Sequence, residues 1–269
     1  MNQLQLEQLR QALRVRLARF ALAVVVWHAE KKRRLLKMPM DSGSHFNARR
    51  QLAAYTIPMA AFLGGMAVVS LLRMIGGAFW LNAPQYWLYP IQTLVCASLL
   101  LWFRREYGFR LPRNVIFTIA VGVVVFLLWI APQAFLGFAP RTDGFDPGIF
   151  GTNSSVYWAI LLFRFLRLVV VVPLVEEIFW RGFLLRYFIN ERFATVPFGS
   201  FSWFSFAAVT IGFTLVHLTA DWPAAAITGA LYNLVAFRTK SLTSCILAHS
   251  VTNVLLGLWI MQSRQWGFW

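Results

Sequence analysis

The feature that most constrains this chain is a series of apolar runs, each about as long as a membrane is thick. A helix needs about 20 apolar residues to cross the hydrocarbon core of a bilayer. Residues 55–75, 86–103 and 115–138 meet that length plainly, and residues 156–189, 201–218, 222–237 and 242–261 follow. Hydrophobic residues make up 59% of the chain and charged ones 13%, where a soluble domain carries roughly 25% charged residues. A soluble core of this size could not hide that much apolar surface, whereas a bilayer replaces the water around the outer faces. The expected fold is an all-α, polytopic transmembrane helical bundle of seven spans, or eight if 156–190 divides in two, multi-pass in a cell membrane.

The net charge of +15 would suit a nucleic-acid partner, but its distribution points elsewhere. Lys31, Lys32, Arg33, Arg34, Lys37, Arg49 and Arg50 precede the first long apolar run, and Arg104, Arg105, Arg110 and Arg113 fill a short connection. Basic clusters between apolar spans follow from the positive-inside rule and from anionic headgroups. No aromatic residues interleave with them as a nucleic-acid face would require, so the expected partner is the lipid bilayer. The loop 139–155 holds Arg141 against Asp143 and Asp146. Residues 31–50 and 104–113 are therefore expected in the cytoplasm, with 76–85 and 139–155 outside. Residues 4–37 carry a short apolar stretch among arginines, with no cleavage pattern after it, and read as an amphipathic helix on the membrane surface. Cys96 and Cys245 sit in apolar runs and read as small hydrophobes.

Residues 156–189 are harder to divide. As one helix they would measure about 50 Å, and Arg164, Arg167 and Pro173 interrupt them. A surface-lying or broken segment is expected ahead of the true span, with the two arginines snorkelling to the headgroups. The orientation of the C-terminal half stays open on this reading. Three regions are expected: a basic amphipathic segment over 1–50, a transmembrane scaffold over 51–155 and a catalytic transmembrane domain over 156–269.

Ionisable groups at membrane depth are costly and mark function. Glu176 and Glu177 adjoin in Val-Pro-Leu-Val-Glu-Glu-Ile-Phe-Trp-Arg, with Arg181 at its end. Glu177 and Arg181 are four residues apart and share a helix face, where they can pair. Glu176 points about 100° away and stays available as a base. His217 ends an apolar run in Phe213-Thr214-Leu215-Val216-His217, and His249 and Asn253 share a face of the last span. Each feature alone could be structural, since Asn and His also bridge membrane helices. Three on separate helices make that reading poor.

The spacing Glu-Glu-x-x-x-Arg at 176–181, Phe-x-x-x-His at 213–217 and His-x-x-x-Asn at 249–253 resembles the CAAX-protease and bacteriocin-processing family of intramembrane peptidases. Flanking text, with Thr-Gly-Ala-Leu-Tyr-Asn at 228–233 and the terminal Gln-Trp-Gly-Phe-Trp, is similar to its bacterial, exosortase-associated subgroup. That resemblance implies a bacterial inner-membrane protein and a metal-independent glutamic endopeptidase with no cofactor. It implies Glu176 as the base assisted by His217, His249 and Asn253 as the oxyanion hole, and Glu177 with Arg181 as positioning groups. Phe213 becomes a wall of the substrate pocket. The implied partners are a membrane-associated protein or peptide substrate and components of an exosortase system. Two rivals stand beside this reading. One is a zinc peptidase using Glu176, His217 and His249, although no His-Glu-x-x-His helix is present. The other is a non-proteolytic membrane scaffold or immunity-type protein of the same family.

Overall fold

The computed structural model describes residues 42–269, and the surface helix expected over 4–37 lies outside them. Among the described residues the fold is all helical. Seven long helices succeed one another: α1 (Ser42–Ile75), α2 (Gln85–Trp102), α3 (Val115–Phe135), α4 (Ser155–Tyr187), α5 (Trp203–Leu215), α6 (Trp222–Thr239) and α7 (Leu242–Ser263). Each corresponds to one expected apolar run. By length and composition four stretches can cross a membrane, Asn47–Ile75, Val115–Phe135, Ser155–Tyr187 and Leu242–Ser263, while Trp203–Leu215 is a shorter apolar helix.

Loop contacts sort the helix ends onto two faces. On the first, the Arg113 amide donates to Ser244 Oγ at 2.8 Å, and the Tyr107 hydroxyl donates to the Ala54 carbonyl at 3.1 Å. On the second, Arg141 pairs with Asp221 at 2.6 Å, the Gly267 amide donates to the Arg141 carbonyl, and the Tyr86 hydroxyl donates to the Asp146 carbonyl. Successive helices therefore run in alternating directions, and α7 starts on the same face as the basic connection 104–113. The orientation of the C-terminal half relative to the N-terminal half, open in the sequence, is set by these contacts.

The division expected within 156–190 is corrected. Residues 155–187 form one continuous helix of 33 residues, with wider i→i+5 turns at Arg167–Val171 and Ile178–Leu184. The first of these turns absorbs Pro173. The Val172 amide reaches back five residues to the Arg167 carbonyl, and Pro173 has no N–H to offer Leu168. Asn253 Nδ2 of α7 supplies the missing donor to the Leu168 carbonyl at 2.8 Å.

The snorkelling expected of Arg164 and Arg167 is corrected as well. Their exposures are 4% and 8%. The Arg164 guanidinium lies 4.8–5.3 Å from the rings of Phe145, Tyr89 and Trp269. That of Arg167 lies 4.0 Å from Tyr89 and donates to Gln92 Oε1 at 3.0 Å. Three aromatic faces around a desolvated cation give it an alternative to water, each worth up to about 2 kcal/mol.

The core lies where α3, α4, α6 and α7 meet, built from Val125, Val175, Ile178, Tyr232, Val235, Cys245 and Ala248. Gly122 lets α3 approach α7 closely: a Cβ there would stand 2.6 Å from the Ala248 carbonyl oxygen. The Gly122 carbonyl in turn accepts from Thr252 Oγ1 at 2.8 Å. Gly122→Leu is expected to destabilise the bundle by about 1–3 kcal/mol, the usual range for overpacking. Gly64→Leu, at a site with no atom within 4 Å of a Cβ, is the neutral control. Thermal unfolding of the two variants in detergent checks this.

Candidate active site

Glu177, Arg181 and His249 form the centre of a buried polar network. Glu177 and Arg181 are both completely buried. Glu177 Oε1 accepts from Arg181 Nη1 at 3.0 Å and from His249 Nδ1 at 2.9 Å. Two donors on one oxygen fix the carboxylate, and its second oxygen has no partner among the described residues. Arg181 continues outward, with Nε donating to Asn233 Oδ1 at 3.1 Å and Nη2 to the Gly229 carbonyl at 3.2 Å. Its planar face lies between the rings of Phe213 at 5.0 Å and Tyr232 at 5.3 Å. Asn233 is itself held, donating to Thr210 Oγ1 at 3.1 Å and to the Phe206 carbonyl. The pair is thus desolvated but paired and hydrogen-bonded, as a buried ion pair must be.

Glu176, one residue earlier, is half-buried and makes no hydrogen bond or ion pair among the described residues. The two adjacent carboxylates therefore have different surroundings. One is clamped and the other is free.

His217 follows the last turn of α5. Its Nδ1 lies 2.7 Å from the Phe213 carbonyl, and a carbonyl can only accept, so Nδ1 carries a proton and Nε2 is the ring nitrogen left for another partner. The imidazole rests between the rings of Phe213 and Trp129. His249 donates Nδ1–H to Glu177, leaving Nε2 outside the network, and its ring lies 5.2 Å from that of Tyr232. Asn253, one turn further along α7, uses one Nδ2 proton on the Leu168 carbonyl and keeps the other.

The structure brings Glu177, Arg181 and His249 into direct contact and sets Phe213 beneath the Arg181 guanidinium. It makes no direct hydrogen bond between Glu176 and His217, and Asn253 joins the site through the α4 backbone. Among the described residues no three His, Cys, Asp or Glu side chains gather as metal ligands. Sequence reasoning gave Asn233 no role. Its signal was available: an amide in the middle of an otherwise apolar helix needs a partner at membrane depth.

Two comparisons bear on this site. Residues 156–255 match the family described as type II CAAX prenyl endopeptidase Rce1-like. Over 183 residues the chain is 24% identical to the UPF0177 protein YbdI of Lactococcus lactis subsp. lactis (strain IL1403), covering 62% of this chain and 92% of that protein. No solved structure matches the chain. The stretch similar to the Rce1-like family thus runs from α4 into α7 and carries Glu176, Glu177, Arg181, His217, His249 and Asn253.

Proposed function

We propose that the chain is a glutamate-dependent intramembrane endopeptidase that hydrolyses a peptide bond of a membrane-associated protein or peptide. The observation that carries this reading is the split between two adjacent glutamates on α4. Glu177 is locked by Arg181 and His249, while Glu176 is half-buried and makes no hydrogen bond or ion pair among the described residues.

In the proposed reaction the Glu176 carboxylate takes a proton from water, and the oxygen adds to the scissile carbonyl carbon. His217 Nε2 accepts the second water proton as a hydrogen bond and orients the nucleophile. The carbonyl oxygen becomes an oxyanion, stabilised by the free Nδ2–H of Asn253 and by Nε2–H of His249. To donate there while its Nδ1–H stays on Glu177, His249 has to carry both ring protons. Collapse of the tetrahedral intermediate breaks the C–N bond, and the Glu176 carboxylic acid returns its proton to the departing amine. Arg181 balances Glu177 and keeps His249 in one orientation. Phe213, packed on Trp180 and Arg181, forms a wall beside the reacting groups.

Removing one oxyanion donor by Asn253→Ala is expected to lower kcat by roughly 100-fold or more, with a smaller effect on KM. The reading as a whole is tested by comparing the membrane proteomes of cells making the wild-type protein and the Glu176→Gln variant. A membrane protein that accumulates uncut only with the variant is expected and would name the substrate. Identical cleavage products in both would overturn the assignment.

A further inference from the structure

The face that carries the basic connections also holds a cavity of about 330 Å³ that the proposed reaction does not use. Arg110, Arg113, Arg186 and Lys240 line it, and among the described residues no carboxylate does. These cations arrive from three separate stretches: the α2–α3 connection, the end of α4 and the turn between α6 and α7. A charge that only sets topology can sit anywhere in a loop. Four cations converging on one concavity repel one another, and the concentration of charge calls for an anion.

The carboxylate on the α2–α3 connection is engaged elsewhere, since Glu106 pairs with Arg50 at 2.8 Å. Arg186 is fixed without an acid among the described residues: Nε donates to the Gly182 carbonyl at 2.6 Å, and the guanidinium lies over Tyr55 and Phe193. Leu242 and Thr243, on the cavity wall, are the first two residues of the 22-residue helix α7, where backbone amides have no helical acceptor. Thr243 Oγ1 also has no hydrogen-bond partner among the described residues. Guanidinium forks, an ammonium and a helix N-terminus together match the oxygens of a phosphate.

The surroundings of the cavity are those of an amphiphile. Leu111 alternates with Arg110 and Arg113 and is 87% exposed, and Ile116 just beyond is 88% exposed. The cations thus stand beside apolar side chains that face outward at the end of the bundle, where headgroups give way to acyl chains.

We infer that this cavity binds the phosphate of an anionic phospholipid, with its acyl chains against the apolar surface beside residues 109–116. A lipid held there ties α1 at Tyr55, the α2–α3 connection, the end of α4 and the start of α7 together.

The test uses the full chain in nanodiscs of phosphatidylcholine with or without phosphatidylglycerol, reading lipid retention on detergent extraction and the unfolding midpoint. Phosphatidylglycerol is expected to be retained and to raise the midpoint. The double variant Arg110→Gln/Arg113→Gln should weaken its apparent affinity by about 30-fold, the worth of two interfacial cations. Arg104→Gln/Arg105→Gln, which removes the same charge from the same connection outside the cavity, should leave it unchanged. Equal losses in the two variants would reduce the effect to general surface charge and overturn the proposal. Inorganic phosphate added to phosphatidylcholine discs should not reproduce the shift. If it does so at matched concentration, the ligand is a soluble phosphate and the lipid assignment falls.

Discussion

Glu176→Gln is expected to lower kcat for peptide hydrolysis by about 100- to 10,000-fold, the contribution of a positioned general base. Substrate affinity should change little, because the amide keeps the shape of the side chain. The fold should be unaffected, since Glu176 takes part in no hydrogen bond or ion pair among the described residues. Expression level and unfolding midpoint therefore separate a chemical defect from a folding one. A variant with the wild-type rate would move the base elsewhere.

The second large effect is on stability and concerns Arg181. Arg181→Met removes the donor to Glu177, Asn233 and Gly229 at once and leaves a carboxylate completely buried beside a methionine. Breaking a buried pair from one side is expected to destabilise by about 3–5 kcal/mol. Glu177→Gln on its own leaves the guanidinium desolvated, still donating to Asn233 and Gly229. The double variant Glu177→Gln/Arg181→Met removes both members of the ion pair together and should lose less than the sum of the singles. A double-mutant cycle on unfolding midpoints in detergent reads this coupling directly. Strict additivity would mean that the two side chains do not act as a unit, whatever their 3.0 Å separation.

The legibility of the fold divides along a simple line. Span positions were readable because bilayer thickness sets a length, and each expected run became a helix. The interior of α4 was not readable, because Arg164, Arg167 and Pro173 look disruptive when judged by their neighbours in sequence. Their compensation comes from far away: Tyr89 in α2, Phe145 in a loop, Trp269 at the chain's end and Asn253 in α7.

The site divides in the same way. Glu177 with Arg181 is a local pair, visible from a spacing of four on a helix. The hydrogen bond from His249 to Glu177 joins residues 72 apart, and no periodicity encodes it. Sequence spacing grouped His249 with Asn253 as two donors on one helix face. The structure adds that each has already committed one donor, His249 to a carboxylate and Asn253 to the carbonyl that Pro173 leaves unpaired. Asn233 was visible only as an isolated amide, and its role as a prop for Arg181 required the tertiary contact.

The widened turn at Arg167–Val171 has a consequence for what changes in length the chain can tolerate. An i→i+5 turn holds one residue more than an α-helical turn, so loss of a single residue there would leave a regular helix and every motif residue intact. Because the widened turn completes the same rotation with one residue more, the helix beyond such a deletion would keep its facing, and Glu177 would still meet His249. The same loss within the α-helical stretch Val172–Glu177, ahead of the glutamates, would turn them by about 100° and shift them by about 1.5 Å. Where a residue is lost therefore decides whether the site survives.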